Sequence, residues 1–187
     1  MRAKGDILTY VEEIAKAMEM LATNKRSVFL GQNVAYSGSI MSASLEKIPA
    51  NKKIELPLIE DAQMGISIGL SLEGYIPISI YPRIDFLILA INQIVNHLDK
   101  IAEMSSGRFK PKVIIRTALG STKPLYPGLQ HCSDYTEGLK ALVKNVEIVK
   151  LTKSDQIVPA YKKALENAIE SNKSTILIEI ADKYCES

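Results

Sequence analysis

The sequence contains no tryptophan, two cysteines, two histidines and three phenylalanines among its 187 residues. Cys132 and Cys185 lie far apart, without the paired spacing of a disulfide framework, so a reducing cytoplasm is the expected location. With so few imidazoles and thiols, no metal site is expected within this chain. An excess of charge of either sign is also missing. Lys plus Arg number 23 against 21 Asp plus Glu, the formal net charge is +2, and no run of like charges stands out. Neither nucleic acid nor an anionic membrane surface is therefore an expected partner. Long hydrophobic runs are absent: the most apolar stretch, 86–91, is far shorter than the ~20 residues a bilayer span requires. The N-terminal segment places Ile7, Val11, Ile14, Met18 and Leu21 at helical spacing with Glu12, Glu13 and Lys16 between them, which describes an amphipathic helix rather than a signal peptide. Without a secretory signal, Asn172-Lys173-Ser174 is read as a chance match to a glycosylation acceptor.

What the sequence does have is alternation. Short apolar runs rich in β-branched residues alternate with longer segments of helical period, the signature of an α/β fold. The expected architecture is a three-layer sandwich: a mostly parallel sheet of about six strands with helices on both faces. Strands are expected over 27–30, 53–55, 76–80, 113–116, 147–151 and 175–180. Helices are expected over 5–21, 61–72, 84–103, 134–143 and 155–170. Ser154 is the expected cap of the last helix, with Ile157, Ala160, Tyr161, Ala164 and Ile169 turned toward the sheet. No repeat or linker interrupts the chain, so residues 1–187 read as a single domain that ends just after its last strand.

Two segments are costly for a purely structural role. Gly65 and Gly69 lie inside the 61–72 helix, each disfavoured by ~1 kcal/mol relative to Ala, so a close approach to that helix has to offset the loss. The 120–130 segment, with Gly120, Pro124, Pro127 and Gly128, is too long for a tight connection, and loops of that kind often carry function.

A resemblance to a known family rests on an ordered set of motifs. Val28-Phe29-Leu30-Gly31 is followed by Leu56-Pro57-Leu58-Ile59-Glu60 and then by Gly65-Ile66-Ser67-Ile68-Gly69. Ala90-Ile91-Asn92-Gln93-Ile94, Met104-Ser105-Ser106-Gly107, Arg116 with Gly120, and Gln130-His131-Cys132-Ser133-Asp134 continue the series. Together they resemble the pyrimidine-binding domain of thiamine diphosphate-dependent enzymes. The resemblance is to the β subunit of the pyruvate and branched-chain 2-oxoacid dehydrogenase decarboxylases, and transketolase is more distantly similar.

The resemblance implies the thiamine diphosphate-binding fold and a set of site residues. Glu60 would hydrogen-bond the N1′ nitrogen of the aminopyrimidine and share a proton with it, a task for a carboxyl group that both donates and accepts. Read without the resemblance, Glu60 only favours the start of its helix through the dipole. Tyr81 and Phe86 flank the position where the family walls the pyrimidine with an aromatic ring, and both also fit a plain core role. His131 matches a histidine at the active-site mouth, against the plainer reading of a loop imidazole. Gly65 and Gly69 would lie at a contact with another subunit, although helix-on-sheet packing explains them as well.

Departures from the pattern are as informative. Gln32-Asn33 stand where the family carries acidic residues after the first strand, and no counterpart of the C-terminal domain of dehydrogenase β subunits is expected. A Gly-Asp-Gly motif with a downstream Asn pair, the family's Mg2+-diphosphate signature, occurs nowhere; Gly5-Asp6 lacks the third glycine. Hence the implied cofactor is thiamine diphosphate with Mg2+ held by a separate partner subunit, in a homodimer or α2β2 assembly that acts on a small-molecule substrate. Alone, the chain would be inactive. The reaction implied is decarboxylation of a 2-oxoacid or cleavage of a ketose, with transfer of the acyl or ketol fragment. The competing expectation is a non-catalytic α/β binding or regulatory module that kept the fold and lost the chemistry.

Overall fold

The computed structural model describes residues 9–36, 38, 40–123 and 126–185. Residues 5–8 of the first expected helix, Gly5-Asp6 included, and Pro124 of the long loop lie outside them. Helix α1 (Tyr10–Ala22) begins at a capping box in which Thr9 and Glu12 satisfy each other's backbone N–H. Strand β1 (Ser27–Gly31), the short helix α2 (Ile40–Ala43), β2 (Lys53–Glu55), α3 (Glu60–Leu72) and β3 (Ile76–Ile80) follow. A helical stretch then opens with α4 (Ile84–Leu87) and closes with α5 (Ile101–Met104). Beyond it come β4 (Ile114–Leu119), α6 (Thr136–Leu142), β5 (Glu147–Lys150), α7 (Ile157–Glu170) and β6 (Thr175–Ile180).

All six strands pair in parallel in the order β2-β1-β3-β4-β6-β5. A parallel sheet is covered on both faces, which is why β1 and β3 are buried along their whole length while the edge strands β2 and β5 are only partly so. On one face α1, α7 and the α2 region pack Ile14, Met18, Leu45 and Tyr161 against Phe29, Ile78 and Leu177. On the other, α3, the α4 to α5 stretch and α6 pack Met64, Ile94 and Leu139 against Ile115, Ile176 and Ile178. The chain leaves β1 over the first face and leaves β3 over the second, so a crevice opens between the carboxyl ends of these adjacent strands, where open α/β sheets bind ligands. Among the described residues no helix is long and apolar enough to cross a membrane.

Two local expectations need correction. The 84–103 helix is not continuous: a 3-10 turn at Ile88–Ala90 and a π turn at Gln93–Leu98 interrupt it. The π turn carries Asp99, whose buried carboxylate accepts the backbone N–H groups of Lys144 at 2.8 Å and Asn145 at 2.6 Å, and a buried carboxylate has to be satisfied in this way. At the last helix, Ser154 caps nothing. A 3-10 turn at Ser154–Gln156 precedes α7, and the Gln156 carboxamide oxygen accepts the N–H groups of Thr152 and Lys153 instead. The buried stripe of α7 runs through Ile157, Tyr161, Ala164 and Ala168, while Ile169 is 51% exposed.

Candidate functional site

Glu60 is the first residue of α3, reached from the carboxyl end of β2 through residues 56–59, with Asp61 beside it in the first turn. Carboxylates are favoured at that end of a helix. A buried polar seam fixes where α3 lies. Gln63 Nε2 donates to Ser79 Oγ at 3.1 Å and to the Ile80 carbonyl at 3.0 Å, while Ser67 Oγ donates to the Gln63 carbonyl at 2.8 Å and can accept from Ser79 Oγ at 3.0 Å. Gly31 makes the close fit possible. A Cβ there would lie 2.4 Å from the Ile80 carbonyl oxygen and 3.2 Å from Gln63 Nε2, and its φ of +149° favours glycine. The Glu60 carboxyl is half-buried and makes no hydrogen bond or ion pair among the described residues.

Tyr81 follows β3 and is 0% exposed; its hydroxyl donates to the backbone carbonyl of Glu60 at 3.2 Å. Burial, reinforced by the charges of Glu60 and Asp61, pushes the phenol well above its usual range, so the hydroxyl remains a donor at any physiological pH. Its ring is enclosed in the core and leaves no face open within this chain. Phe86, five residues on, is half-buried, and its ring meets the His131 imidazole edge to face with centroids 5.7 Å apart and planes at 75°.

His131 ends a 3-10 turn, Leu129–His131, laid over the end of β4. Arg83 Nη1 donates to the His131 carbonyl at 3.0 Å. Gly120 packs beneath the same carbonyl, where a Cβ would stand 1.6 Å from the oxygen. The far side of the loop is tied down by Asp182, whose carboxylate accepts from Ser121 Oγ at 2.8 Å, Thr122 N at 2.6 Å, Thr122 Oγ1 at 3.0 Å and Lys123 N at 3.2 Å. Although desolvation opposes it, these hydrogen bonds hold the carboxyl of Asp182 below its usual range. The segment 81–86 thus joins the Glu60 end of α3 to the His131 turn, and four of the residues singled out in the sequence lie together beyond the carboxyl ends of the strands.

Gly65 and Gly69 are not on the sheet-facing side of α3, which is formed by Gln63, Met64, Ser67, Ile68 and Ser71. A Cβ at Gly65 would only graze the Gln93 side chain at 4.0 Å, and one at Gly69 would meet nothing within 4 Å among the described residues. Packing among the described residues therefore does not account for either glycine. They belong to an outward stripe with Leu58, Ile59 and Ile66, all exposed. After β1, the carboxylate that the loop lacks in Gln32-Asn33 comes from β2: Glu55 accepts the N–H groups of Asn33, Val34 and Ala35 at 2.7, 2.9 and 2.8 Å.

No family model matches the chain. It is 29% identical over 150 residues to the 3-methyl-2-oxobutanoate dehydrogenase subunit beta of Mycobacterium tuberculosis, covering 73% of this chain and 41% of that protein. The chain is homologous to 2-oxoacid dehydrogenase β subunits. The pyruvate dehydrogenase E1 component subunit beta of Gracilaria tenuistipitata var. liui is 27% identical over 172 residues, or 90% of this chain and 51% of that one. The mitochondrial protein of the same name from Ascaris suum is 31% identical over 139 residues, 72% and 38% of the two chains. The match thus spans about half the length of these β subunits or less. A solved structure described as a split gene transketolase, inactive beta4 tetramer, superposes with a TM-score of 0.69 at 19% identity, covering 92% of this chain and 50% of that chain. The transketolase-like α/β fold and the likeness to these β subunits agree with the motifs in the sequence.

Arg83, Asp85, Asp182 and Glu55 carry the geometry of the site and were not singled out from the sequence. None belongs to a spacing pattern, since each acts through a contact made between distant loops. A further cluster, Arg116 with Glu179, Tyr161 and Tyr184, lies buried under the other face of the sheet.

Proposed function

We propose that this chain supplies the pyrimidine side of a thiamine diphosphate site whose diphosphate and Mg2+ are held by a second polypeptide. The observation that carries the reading is the Glu60 carboxyl, free of partners among the described residues, on a helix start that Tyr81 fixes through the Glu60 backbone carbonyl and the Gln63 seam holds beside the crevice between β1 and β3. The residues fit the group: a half-buried carboxyl, an aromatic ring with open surface and an imidazole lie beyond the carboxyl ends of the strands. Thiamine diphosphate, when bound, supplies the carbanion chemistry that cleaves a bond next to a carbonyl.

Each residue then has a defined task. Glu60 holds and moves a proton at the N1′ atom of the aminopyrimidine. Phe86 walls the ring, while Tyr81, enclosed in the core, fixes the backbone from which Glu60 projects. His131 meets the substrate at the mouth as a neutral donor or acceptor. The outward stripe of α3, with Gly65 and Gly69, packs against another subunit, because glycines with little or nothing packed on them among the described residues leave room for a backbone outside the chain. The assembly is a homodimer or α2β2, and the isolated chain is inactive.

The reaction is decarboxylation of a 2-oxoacid or cleavage of a ketose, with transfer of the acyl or ketol fragment; the similar proteins act, by name, in 2-oxoacid dehydrogenation. The test is reconstitution with a separate diphosphate-binding chain, assayed on both substrate classes with and without thiamine diphosphate and Mg2+. Turnover should require both chains, and Glu60→Gln should still assemble yet lose a factor on the order of 10² or more. A Glu60→Gln complex with the wild-type rate would leave the non-catalytic module as the correct reading.

A further inference from the structure

Two buried polar atoms stand out around His131. His131 Nδ1 and Asp85 Oδ2 are each shielded from solvent, and neither has a hydrogen-bond partner among the described residues. Atoms so placed are rare, because an unpaired buried polar group forfeits its hydration with nothing in return. Their surroundings bracket them. The other oxygen of Asp85 accepts the backbone N–H of Ser133 at 3.2 Å, two residues beyond His131. Arg83, two residues before Asp85, donates to the His131 carbonyl, and Phe86, one residue after it, carries the imidazole on its ring. The other nearby carboxylate is turned away. Asp134 is engaged by Thr136 N at 3.1 Å, Thr136 Oγ1 at 2.5 Å and Lys150 Nζ at 2.5 Å. Arg83 is the neighbouring cation, and its guanidinium is spent on a backbone carbonyl rather than on Asp85.

We propose that Asp85 is the positioning residue of His131: its free Oδ2 accepts Nδ1–H once the imidazole turns toward it, which fixes the tautomer with Nε2 unprotonated. An acceptor-only carboxylate oxygen can be satisfied only by a donor, so the proton of the neutral imidazole belongs on Nδ1. On the reading of His131 given above, Nε2 is then the nitrogen that accepts a proton or hydrogen bond from substrate, and Asp85 sets this without touching substrate.

The test does not depend on catalysis. The chain has only two histidines, His97 and His131, so long-range 1H–15N spectra of the uniformly labelled protein, compared with His97→Gln, assign both rings. Recorded at about pH 8.5, above the ordinary imidazole value of ~6.5, the wild-type protein should show a protonated Nδ1 and an unprotonated Nε2 at His131. Asp85→Asn keeps an oxygen for Ser133 N but offers an amide donor in place of Oδ2, so the proton should move to Nε2. A wild-type His131 protonated on Nε2 would overturn the proposal, and so would a variant whose tautomer is unchanged. The wild-type spectrum alone decides the matter should the variant fail to fold. In the reconstituted enzyme, Asp85→Asn should lower kcat by at least tenfold with KM changed less than threefold; equal changes in both would also overturn it. Failure of the broader functional reading would appear separately, as an unaffected Glu60→Gln enzyme.

Discussion

Exchanging Glu179 for Gln removes one formal charge from a pair that the fold encloses completely. Arg116 and Glu179 are 1% and 0% exposed, on the adjacent strands β4 and β6. Arg116 Nε donates to Oε1 at 2.8 Å and Nη2 to Oε2 at 3.1 Å, while Nη1 donates to Ser44 Oγ at 2.8 Å. The hydroxyls of Tyr161 and Tyr184 complete the carboxylate at 2.6 and 2.5 Å. Burial opposes the charge of Arg116, and Glu179 more than offsets it, raising the guanidinium above its usual value; burial, with the charge of Glu179, likewise raises the phenol of Tyr161. Gln keeps the shape but leaves a buried cation without a counter-charge and sets an amide donor against Arg116 or Tyr184. Removing one member of such a pair costs about 3–5 kcal/mol, a large share of the 5–15 kcal/mol typical of a domain. Urea unfolding followed by far-UV circular dichroism should show that loss with an unchanged m-value. Arg116→Met with Glu179→Gln should be more stable than Glu179→Gln alone, because no charge is then stranded. A loss below about 1 kcal/mol, or single losses that simply add, would refute the reasoning.

Other perturbations separate the site from the scaffold. Gly69→Ala should stabilise the isolated chain by about 0.5–1 kcal/mol, measured by thermal melting, while weakening association with its partner in sedimentation experiments. Gly120→Ala should force the His131 turn off β4 and break the charge-assisted bond from Arg83, at about 1.5–3 kcal/mol in urea unfolding, with activity falling further than stability. The Asp182 carboxyl is held below its ordinary value, so its grip on Thr122 and Lys123 is complete above the unfolded value of ~3.9 and is lost as pH falls through the lower folded value. The amide shifts of Thr122 and Lys123 should titrate in that acid range and become pH-independent in Asp182→Ala.

The sheet was legible because a doubly covered parallel strand is a short β-branched run, and 53–55, 76–80 and 175–180 reappear with the same bounds in the structure. Helix interiors were less so. The break in the 84–103 helix depends on Asp99 bonding to a turn about 45 residues later, which no local period records. Motif and order singled out Glu60, Tyr81, Phe86 and His131, and the segment 81–86 joins the first and last of them in the structure. The residues that position them act through loop contacts with no spacing of their own. Arg116 and Glu179 did leave a signal: each is the single charge within an otherwise uncharged strand, Ile114–Leu119 and Thr175–Ile180. A lone charge in a fully covered strand requires a buried partner, and the two strands are neighbours.

The most direct test of the account concerns the proton that Glu60 is held to manage. In the reconstituted complex with thiamine diphosphate, exchange of the thiazolium C2 proton with deuterated solvent can be followed by rapid acid quench and NMR. Glu60→Gln should slow that exchange by on the order of 10² or more without preventing assembly or cofactor binding. Exchange at an unchanged rate in an assembled, cofactor-loaded Glu60→Gln complex would contradict the account.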